Sequence, residues 1–441
     1  MNGELVGVWS QSRSGTPIFQ YHHNWLESPQ RRPISLSLPI LPGNAAHRGE
    51  YVGAWFDNLL PDSTAIRERI RRRFHTRSVQ TFDLLNAIGR DCVGAVQIMP
   101  AGADPGNAKT IESESIDDAG IARLLRGVTL PQSLGLPEDI DSLRISIAGA
   151  QEKTALLRIA DEWHMPRGAT PTTHILKLPL GLIGNMRADM NDSIENEWLC
   201  LNFLRELGFA VADTEIATFA DDVSEERALI VKRFDRSFIP QTPSSPAWVL
   251  RLPQEDFCQA TGTPADKKYE VDGGPGITTS LELIAGGENP IADALAFCKV
   301  QLAFWLLAAP DGHAKNFSIF LRRNGYVLTP LYDVVSAWPV IGRGPNQWSF
   351  QKVTLAMAVR GKTSHRHLDR ISVRHWRQLA LRTGESAAFQ QMVGLVEEAE
   401  VALESLSRKL PRGFPDYVWS SIASGVEHQR KRFLDVLALE S

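Results

Sequence analysis

Hydrophobic and polar positions change period along this chain. Through residues 1 to about 100, short strand-like apolar runs alternate with turns, and Asp62-Ser63 opens a helix expected over Thr64 to His75. Ile88 to Val96 reads as a turn entering a strand, and Pro100 to Asn107, rich in Ala, Gly, Asp and Pro, as a surface linker. A helical stretch from Asp117 to Gly127 precedes two alternating runs between Leu143 and Ile159, which fold about Ala148-Gly149-Ala150-Gln151 as a hairpin. His174-Ile-Leu-Lys-Leu-Pro is a short apolar strand, Asp192 to Leu207 a helix stopped by Gly208, and Ala228 to Asp235 another strand. From about residue 245 the helical period takes over. Pro290 starts a long apolar helix reaching Ala309, and Phe389 to Leu410 and Asp416 to Leu439 are amphipathic helices.

The stretch 310–333 concentrates the candidate chemistry. Two apolar runs, Phe317 to Leu321 and Tyr326 to Leu331, flank Asn324-Gly325, a dipeptide that marks a β-hairpin, usually through a type I′ turn. A two-residue loop there sets Asn316 opposite Asp333 at the open end, with Cβ atoms roughly 5 Å apart. An amide oxygen and a carboxylate so placed suit one hard cation such as Mg²⁺. Asp311 precedes Asn316 by five residues. Asp-x-x-x-x-Asn followed by a second Asp is the spacing of a protein-kinase catalytic loop, whose first Asp accepts the substrate hydroxyl's proton while the other two residues hold magnesium. Asp311 is therefore the candidate general base, Asn316 and Asp333 the candidate metal ligands, and His313, Lys315 and Tyr332 candidate cofactor-binding neighbours.

The hairpin around Gly149 supplies a possible phosphate cradle. Small residues let backbone N–H groups approach phosphate oxygens, and Gly149 can take the positive φ that turns such amides inward. Ile147, Ala148, Gly149, Ala150, Gln151 and Lys153 are the candidate contacts. The stretch has neither a Walker A pattern nor Gly-x-Gly-x-x-Gly, and single-glycine hairpins are mostly structural. Lys177, inside an apolar strand, is either a snorkelling edge lysine or the strand-borne ammonium that a nucleotide kinase places on the phosphates. Glu195 and Glu197 either steady that lysine or are exposed first-turn acids favoured by the helix dipole. Lys232, Arg233 and Phe234 stand where a hinge would offer backbone hydrogen bonds to adenine, with Phe234 as plain core the competing reading.

Composition narrows the picture. The 441 residues, 43% of them apolar, suffice for two or three globular domains. With 47 Lys and Arg against 51 Asp and Glu, the net charge of −4 excludes a global basic field for nucleic acid or membrane. The arginines of the helix expected over Thr64 to His75 (Arg67, Arg69, Arg71, Arg72 and Arg73) form a solvated face or a nucleic-acid or partner surface. Arg366, Arg370, Arg374 and Arg377 would share one face of a continuous helix unless Ser372 caps a new one. Cys92, Cys200, Cys258 and Cys298 lack metal or disulfide spacing and read as buried thiols. The apolar run Leu302 to Ala309 is far shorter than the roughly 18 residues of a membrane span, and Met1-Asn2-Gly3-Glu4 does not open a secretory signal, so a cytoplasmic location is expected.

Taken together, Tyr51-Val-Gly-Ala-Trp-Phe-Asp-Asn-Leu-Leu-Pro-Asp, Ile88-Gly-Arg-Asp, Ser146-Ile-Ala-Gly-Ala-Gln-Glu-Lys-Thr, Thr172-Thr-His-Ile-Leu-Lys-Leu-Pro, Arg251-Leu-Pro-Gln-Glu-Asp, Asp272-Gly-Gly-Pro-Gly and Asp311-Gly-His-Ala-Lys-Asn-Phe resemble the HipA-type serine/threonine kinase toxins over nearly the whole chain. The resemblance implies an α+β, two-lobed, protein-kinase-like fold: a β-rich N-terminal lobe with an extra N-terminal subdomain, and an all-α C-terminal lobe. The corresponding segments are 1–105, 106–240 and 241–441. It further implies ATP and Mg²⁺ as cofactors, Lys177 as the phosphate lysine, and Ser146 as a self-phosphorylated residue whose modification silences the kinase. A small helix-turn-helix antitoxin on operator DNA is the implied partner, and glutamyl-tRNA synthetase the implied substrate, phosphorylated to slow translation toward dormancy. The family's own DNA contacts match less well around Leu381 and Gly384, so direct DNA contact does not carry over.

Two rival readings stand beside this one. A small-molecule phosphotransferase would share the Asp-x-x-x-x-Asn logic, and a catalytically silent co-repressor would serve only as a scaffold for a DNA-binding partner. Intact Asp311, Asn316, Asp333 and Lys177 favour an enzyme.

Overall fold

A computed structural model describes residues 1–129, 151–183, 187–361 and 363–440. The chain forms two units woven from alternating segments. Unit 1 comprises Met1–Leu178, Ala217–Asp266 and Ser318–Asn324, and unit 2 comprises Pro179–Ile216, Lys267–Phe317 and Gly325 onward. Positions 105 and 240, read as boundaries in the sequence, both fall within unit 1.

Unit 1 begins with an antiparallel sheet of Gly7–Gln11, Pro17–Tyr21 and His47–Arg48. Alternation in Pro17–Tyr21 turns Phe19 and Tyr21 inward, where they meet Trp55, Phe56, Leu84 and Leu85 from the helices Glu50–Asp57 and Thr81–Ile88. Trp9 stacks on Phe56 at 3.9 Å. Between these helices lies the arginine-rich Thr64–Arg73, capped by Ser63, whose hydroxyl accepts from Ile66 N–H.

The larger sheet of unit 1 has the order Thr214–Ala220, Glu225–Lys232, His174–Lys177, Lys153–Ile159, Glu162–Pro166, Ser113–Ser115. Its neighbours run antiparallel wherever the register is defined. Helix Asp118–Thr129 covers one face with Ile121, Leu124 and Leu125, spaced three and four apart, packed into a cluster with Leu156, Leu176 and Ile230. Each such buried aliphatic side chain contributes about 1.5–3 kcal/mol.

No strand forms over 88–96; past Ile88, which ends its helix, the chain is a loop closed by buried charge. Asp91 accepts from Thr172 N–H and Oγ1 (3.0 and 2.6 Å), Arg236 Nη2 (2.9 Å), Arg233 Nη1 (3.3 Å) and Arg251 Nη2 (3.4 Å). Asp235 pairs with Arg233 and Arg236 and accepts from Gly94 N–H at 2.7 Å. Burial opposes ionisation of Asp91, but Arg236, Arg233 and Arg251 outweigh it and hold the carboxyl well below its usual range. Burial, partly offset by Asp91, lowers Arg251 to about 10. The strand pattern fails here because a loop segment with its polar groups paired is as buried as a strand would be.

Unit 2 is mainly helical, with Ser193–Glu206, Ile277–Ala285, Pro290–Leu307, Val373–Ala380, Ala388–Ser407 and Asp416–Glu440, and carries the short hairpins Gly181–Ile183/Ala188–Met190 and Thr354–Arg360/Ser364–His367. Pro290 occupies the first turn of its helix as expected, and Ala308 ends that helix in the left-handed conformation (φ 48°). This helix has the length and composition to cross a membrane, yet its residues are mostly buried inside unit 2, with Trp305 edge-on to Trp376 and Phe433. Ser372 and His375 form a capping box that starts Val373–Ala380, so Arg366 and Arg370 leave the arginine stripe, Arg366 lying in a strand and Arg370 in a separate 3₁₀ turn. All four cysteines are buried thiols, none in a disulfide.

Two measurements on unit 1 follow. Asp91→Asn is expected to destabilise the protein by roughly 3–5 kcal/mol, because three guanidinium groups lose their shared partner; a loss under 1 kcal/mol (roughly the worth of a surface pair) in chemical unfolding would show that the cluster is dispensable. Glu255 accepts from Leu36 N–H and Trp55 Nε1–H, and burial pushes its carboxyl from 4.5 up to about 8. Its contribution is present below pH 4.5 and is lost as the pH rises toward about 8, because the unfolded chain ionises first. Glu255→Gln should flatten that part of the stability–pH curve, and an unchanged slope would contradict the assignment.

Candidate active site

The candidate catalytic stretch is built by backbone accounting. Past Ala308 the chain enters a turn in which His313 N–H donates to Asp311 O (2.8 Å) and Asn316 N–H to His313 O (2.9 Å). Gly312 is required by contact: a Cβ there would stand 2.5 Å from the Phe304 ring. The Asn316 amide, almost fully buried, donates through Nδ2 to Asp311 O at 2.7 Å and to Asp333 O at 3.4 Å. One side chain therefore holds both aspartates, and the bonds made by Nδ2 orient Oδ1 away from those carbonyls as an acceptor.

Asp333 has φ 59°, a conformation that costs a non-glycine residue energy and persists only when its neighbours enforce it. They do so on both sides. Leu331 exchanges backbone bonds with Ala210 and Ala212 (2.9 and 2.8 Å), and Tyr332 donates its hydroxyl to Lys315 O (2.7 Å). Beyond it, Ser336 is bonded reciprocally by Asn196 through Nδ2 and Oδ1, both at 2.8 Å, and its own hydroxyl reaches Leu307 O. Asn196 and its helix thus fix the segment that carries Asp333, a role that its position in Ser193–Glu206 gives no sequence signal for. Glu195 and Glu197 on that helix are both buried, which removes the reading of them as exposed first-turn acids.

Asn324-Gly325 does lie between the strands Ser318–Leu321 and Tyr326–Leu328, but neither residue has a positive φ, so the turn is not type I′. The loop spans four residues, 322–325, and the glycine leaves room for the Glu288 side chain, since a Cβ on Gly325 would lie 2.7 Å from Glu288 Cγ. Asn316 and Asp333 come together nonetheless, through the Asn316 amide.

Asp311 itself is half-exposed, its side chain 49% accessible. Tyr269 donates its hydroxyl to Oδ1, and His313 Nε2 lies 3.7 Å from the same oxygen. The Tyr269 and His313 rings meet edge to face at 4.8 Å. The sequence pattern does not single out Tyr269, whose only signal is its place just before Asp272-Gly-Gly-Pro-Gly.

In unit 1, Lys177 is 5% exposed and lies on an interior strand, so it is not an edge lysine. The register sets Lys153 directly opposite Lys177 and Leu229 on its other side. Directly opposed residues on neighbouring strands lie on the same face of the sheet, so Lys153 and Lys177 share one face. Gln151 Nε2 bonds Leu178 O, and Glu152 pairs with Arg69. Lys232 is exposed at the end of its strand and Phe234 is half-buried, edge-on to Phe320 at 5.8 Å. Arg233 departs from the expectation of a cofactor contact: its N–H bonds Thr173 O, its carbonyl accepts from Arg236, and its guanidinium is spent on Asp91, Asp235 and Cys92 O. Ser146, Ile147, Ala148, Gly149 and Ala150 lie outside the described residues.

The donor set fits Mg²⁺ of the kinase kind. Among the described residues no cluster of three or more His, Cys, Asp or Glu could cage an ion. One carboxylate and one amide oxygen, completed by phosphate oxygens and water, is how Mg²⁺ commonly binds beside a nucleotide.

The fold is of the kinase-like α+β class. Over 98% of the chain it superposes on 96% of a chain from the complex of HipA, HipB and operator DNA of Shewanella oneidensis MR-1, with TM-score 0.78 at 23% identity. Residues 1–99 match the HipA N-terminal domain and residues 145–406 the HipA-like C-terminal domain; the chain belongs to the HipA family. It is 31% identical to the putative kinase Y4mE of Sinorhizobium fredii, over 80% of this chain and 81% of that protein. It is 29% identical to the serine/threonine-protein kinase toxin HipA of Shewanella oneidensis, over 75% of this chain and 73% of that protein.

Asn316→Ala removes the donor shared by two backbone carbonyls and should cost roughly 1–3 kcal/mol. A shifted denaturant midpoint with unchanged slope is the expected reading, and a wild-type midpoint would mean that the amide does not hold the two aspartates.

Proposed function

We propose that this chain is a cytoplasmic, ATP-dependent serine/threonine protein kinase that acts as the toxin of a toxin–antitoxin pair. The observation that carries the reading is the single amide of Asn316 tying Asp311 to Asp333 at kinase spacing. Lys177, with Lys153 beside it in register, holds the triphosphate. Mg²⁺ on Asn316 Oδ1 and Asp333 neutralises phosphate charge when bound. The substrate serine gives its proton to the Asp311 carboxylate while its oxygen forms a bond to the γ-phosphorus. The bond from that phosphorus to the bridging oxygen breaks, and ADP leaves with the electron pair. Little covalent work falls to the protein, so positioning and charge stabilisation supply the rate.

Family membership supports the finer parts of the reading. The similar fold from Shewanella oneidensis comes from a complex with HipB and operator DNA, which supports a small helix-turn-helix antitoxin as partner here. By the same resemblance the substrate is an aminoacyl-tRNA synthetase, and transfer to Ser146 limits activity. A phosphoserine there would add roughly −1.5 to −2 charge beside a loop meant for ATP phosphates.

Incubation of the purified chain with Mg-ATP, followed by intact-mass analysis, tests the reading. Phosphate on the chain or on an added protein supports it, phosphate on an added aminoglycoside instead points to a small-molecule enzyme, and no transfer at all points to a scaffold. Asp311→Ala is expected to lower transfer by about 10²–10⁴ with the fold intact, and near-wild-type transfer by that variant would overturn the role of Asp311.

A further inference from the structure

The turn that carries Tyr269 is held more tightly than a surface loop requires. Its sequence is Lys267-Lys-Tyr-Glu-Val-Asp-Gly-Gly-Pro-Gly276. A Cβ on Gly274 would lie 1.9 Å from Lys267 O, a backbone atom, so that glycine is required by close approach, and one on Gly276 would lie 2.4 Å from Glu270 Cδ, the end of a side chain. Asp272 and Gly274 N–H groups both donate to Tyr269 O, at 3.1 and 3.0 Å. Glu270 accepts from Ala358 N–H at 2.6 Å and pairs with Arg360 and Arg366 at 3.1 and 3.6 Å. Lys268 O accepts from Ala314 N–H of the catalytic stretch at 3.3 Å, and Lys268 Nζ lies over the Tyr269 ring at 5.5 Å.

These anchors converge on one outcome, a phenol held against Asp311. Both Tyr269 and His313 address Oδ1 of that carboxylate. Oδ2 has no hydrogen-bond partner among the described residues. A half-exposed aspartate on a short turn would otherwise rotate about its side-chain bonds, and a donor fixed on one oxygen removes that freedom.

We propose that Tyr269 is a positioning residue for Asp311: its hydroxyl pins Oδ1 so that Oδ2 faces the acceptor hydroxyl and takes the proton. This rests on the reading of Asp311 as the general base. The motif Asp272-Gly-Gly-Pro-Gly, to which the reaction assigns no contact, exists to fold the turn that delivers the phenol.

The test is a four-member cycle in the full chain: wild type, Tyr269→Phe, Asp311→Asn and the double variant. ADP formation from Mg-ATP is measured as a function of ATP concentration. Tyr269→Phe should lower the rate at saturating ATP by roughly 10–100-fold, the worth of one hydrogen bond to a charged group, and leave half-saturation by ATP unchanged. In the Asp311→Asn background the same substitution should have no further effect. A loss of folded protein would lower the rate in both backgrounds, so the cycle separates misfolding from positioning. Wild-type turnover by Tyr269→Phe, a change confined to ATP half-saturation, or an equal loss in both backgrounds overturns the proposal. If wild type forms no ADP, or Asp311→Asn is as fast as wild type, the assignment of function fails first and takes this inference with it.

Discussion

Asp91 carries three guanidinium groups on two oxygens, and unit 1 closes around that contact. Arg233 follows the end of the strand Glu225–Lys232, Arg236 opens the strand Arg236–Ile239, Arg251 ends the strand Trp248–Arg251, and Thr172 leads into the strand of Lys177; all four meet the loop that follows helix Thr81–Ile88. Such a cluster is not a cheap source of stability, because ions taken out of water recover their hydration only through good geometry. Its value lies in uniqueness: any other register of these segments would leave a charge buried alone. The cluster also places His174–Lys177 as an interior strand, and so sets Lys177 and Lys153 side by side.

The same accounting governs the candidate catalytic residues of unit 2, with neutral side chains in place of ions. Three polar side chains, Asn316, Tyr332 and Asn196, spend themselves on main-chain groups. The return is a carboxylate, Asp333, kept at a positive φ that its own preference would abandon. Hydrogen bonds to backbone define position more sharply than apolar contact can, because they are directional. A phosphoryl-transfer site needs that sharpness, since most of its rate enhancement comes from where charges stand rather than from bonds the protein makes.

Family membership and geometry speak to different questions here. The match of both the N-terminal and the C-terminal HipA domains covers most of the chain and places it among kinase-named relatives. The arrangement of Asp311, Asn316 and Asp333 is a separate observation, carried by the Asn316 amide and not by that match. Arg233 illustrates how the two can part: hinge position by sequence order, yet committed by every polar group to the interior of unit 1.

Local pattern was enough for much of this molecule. Ser63 as a helix cap, Pro290 at the head of the apolar helix, Ser372 as a break in the arginine stripe and the Asp311-to-Asn316 spacing all depend on residues within one or two turns of each other, where side chain and backbone settle the outcome between them. What the sequence could not determine depends on partners far along the chain. Asp91 and Arg251 are 160 residues apart and Tyr269 and Asp311 are 42 apart, and no periodicity links them. The turn at Asn324-Gly325 shows the limit most plainly. The dipeptide marks the hairpin, but neither residue takes the positive φ that the pattern suggests, and the space beside Gly325 is filled by Glu288, a neighbour that is there only once the chain has folded.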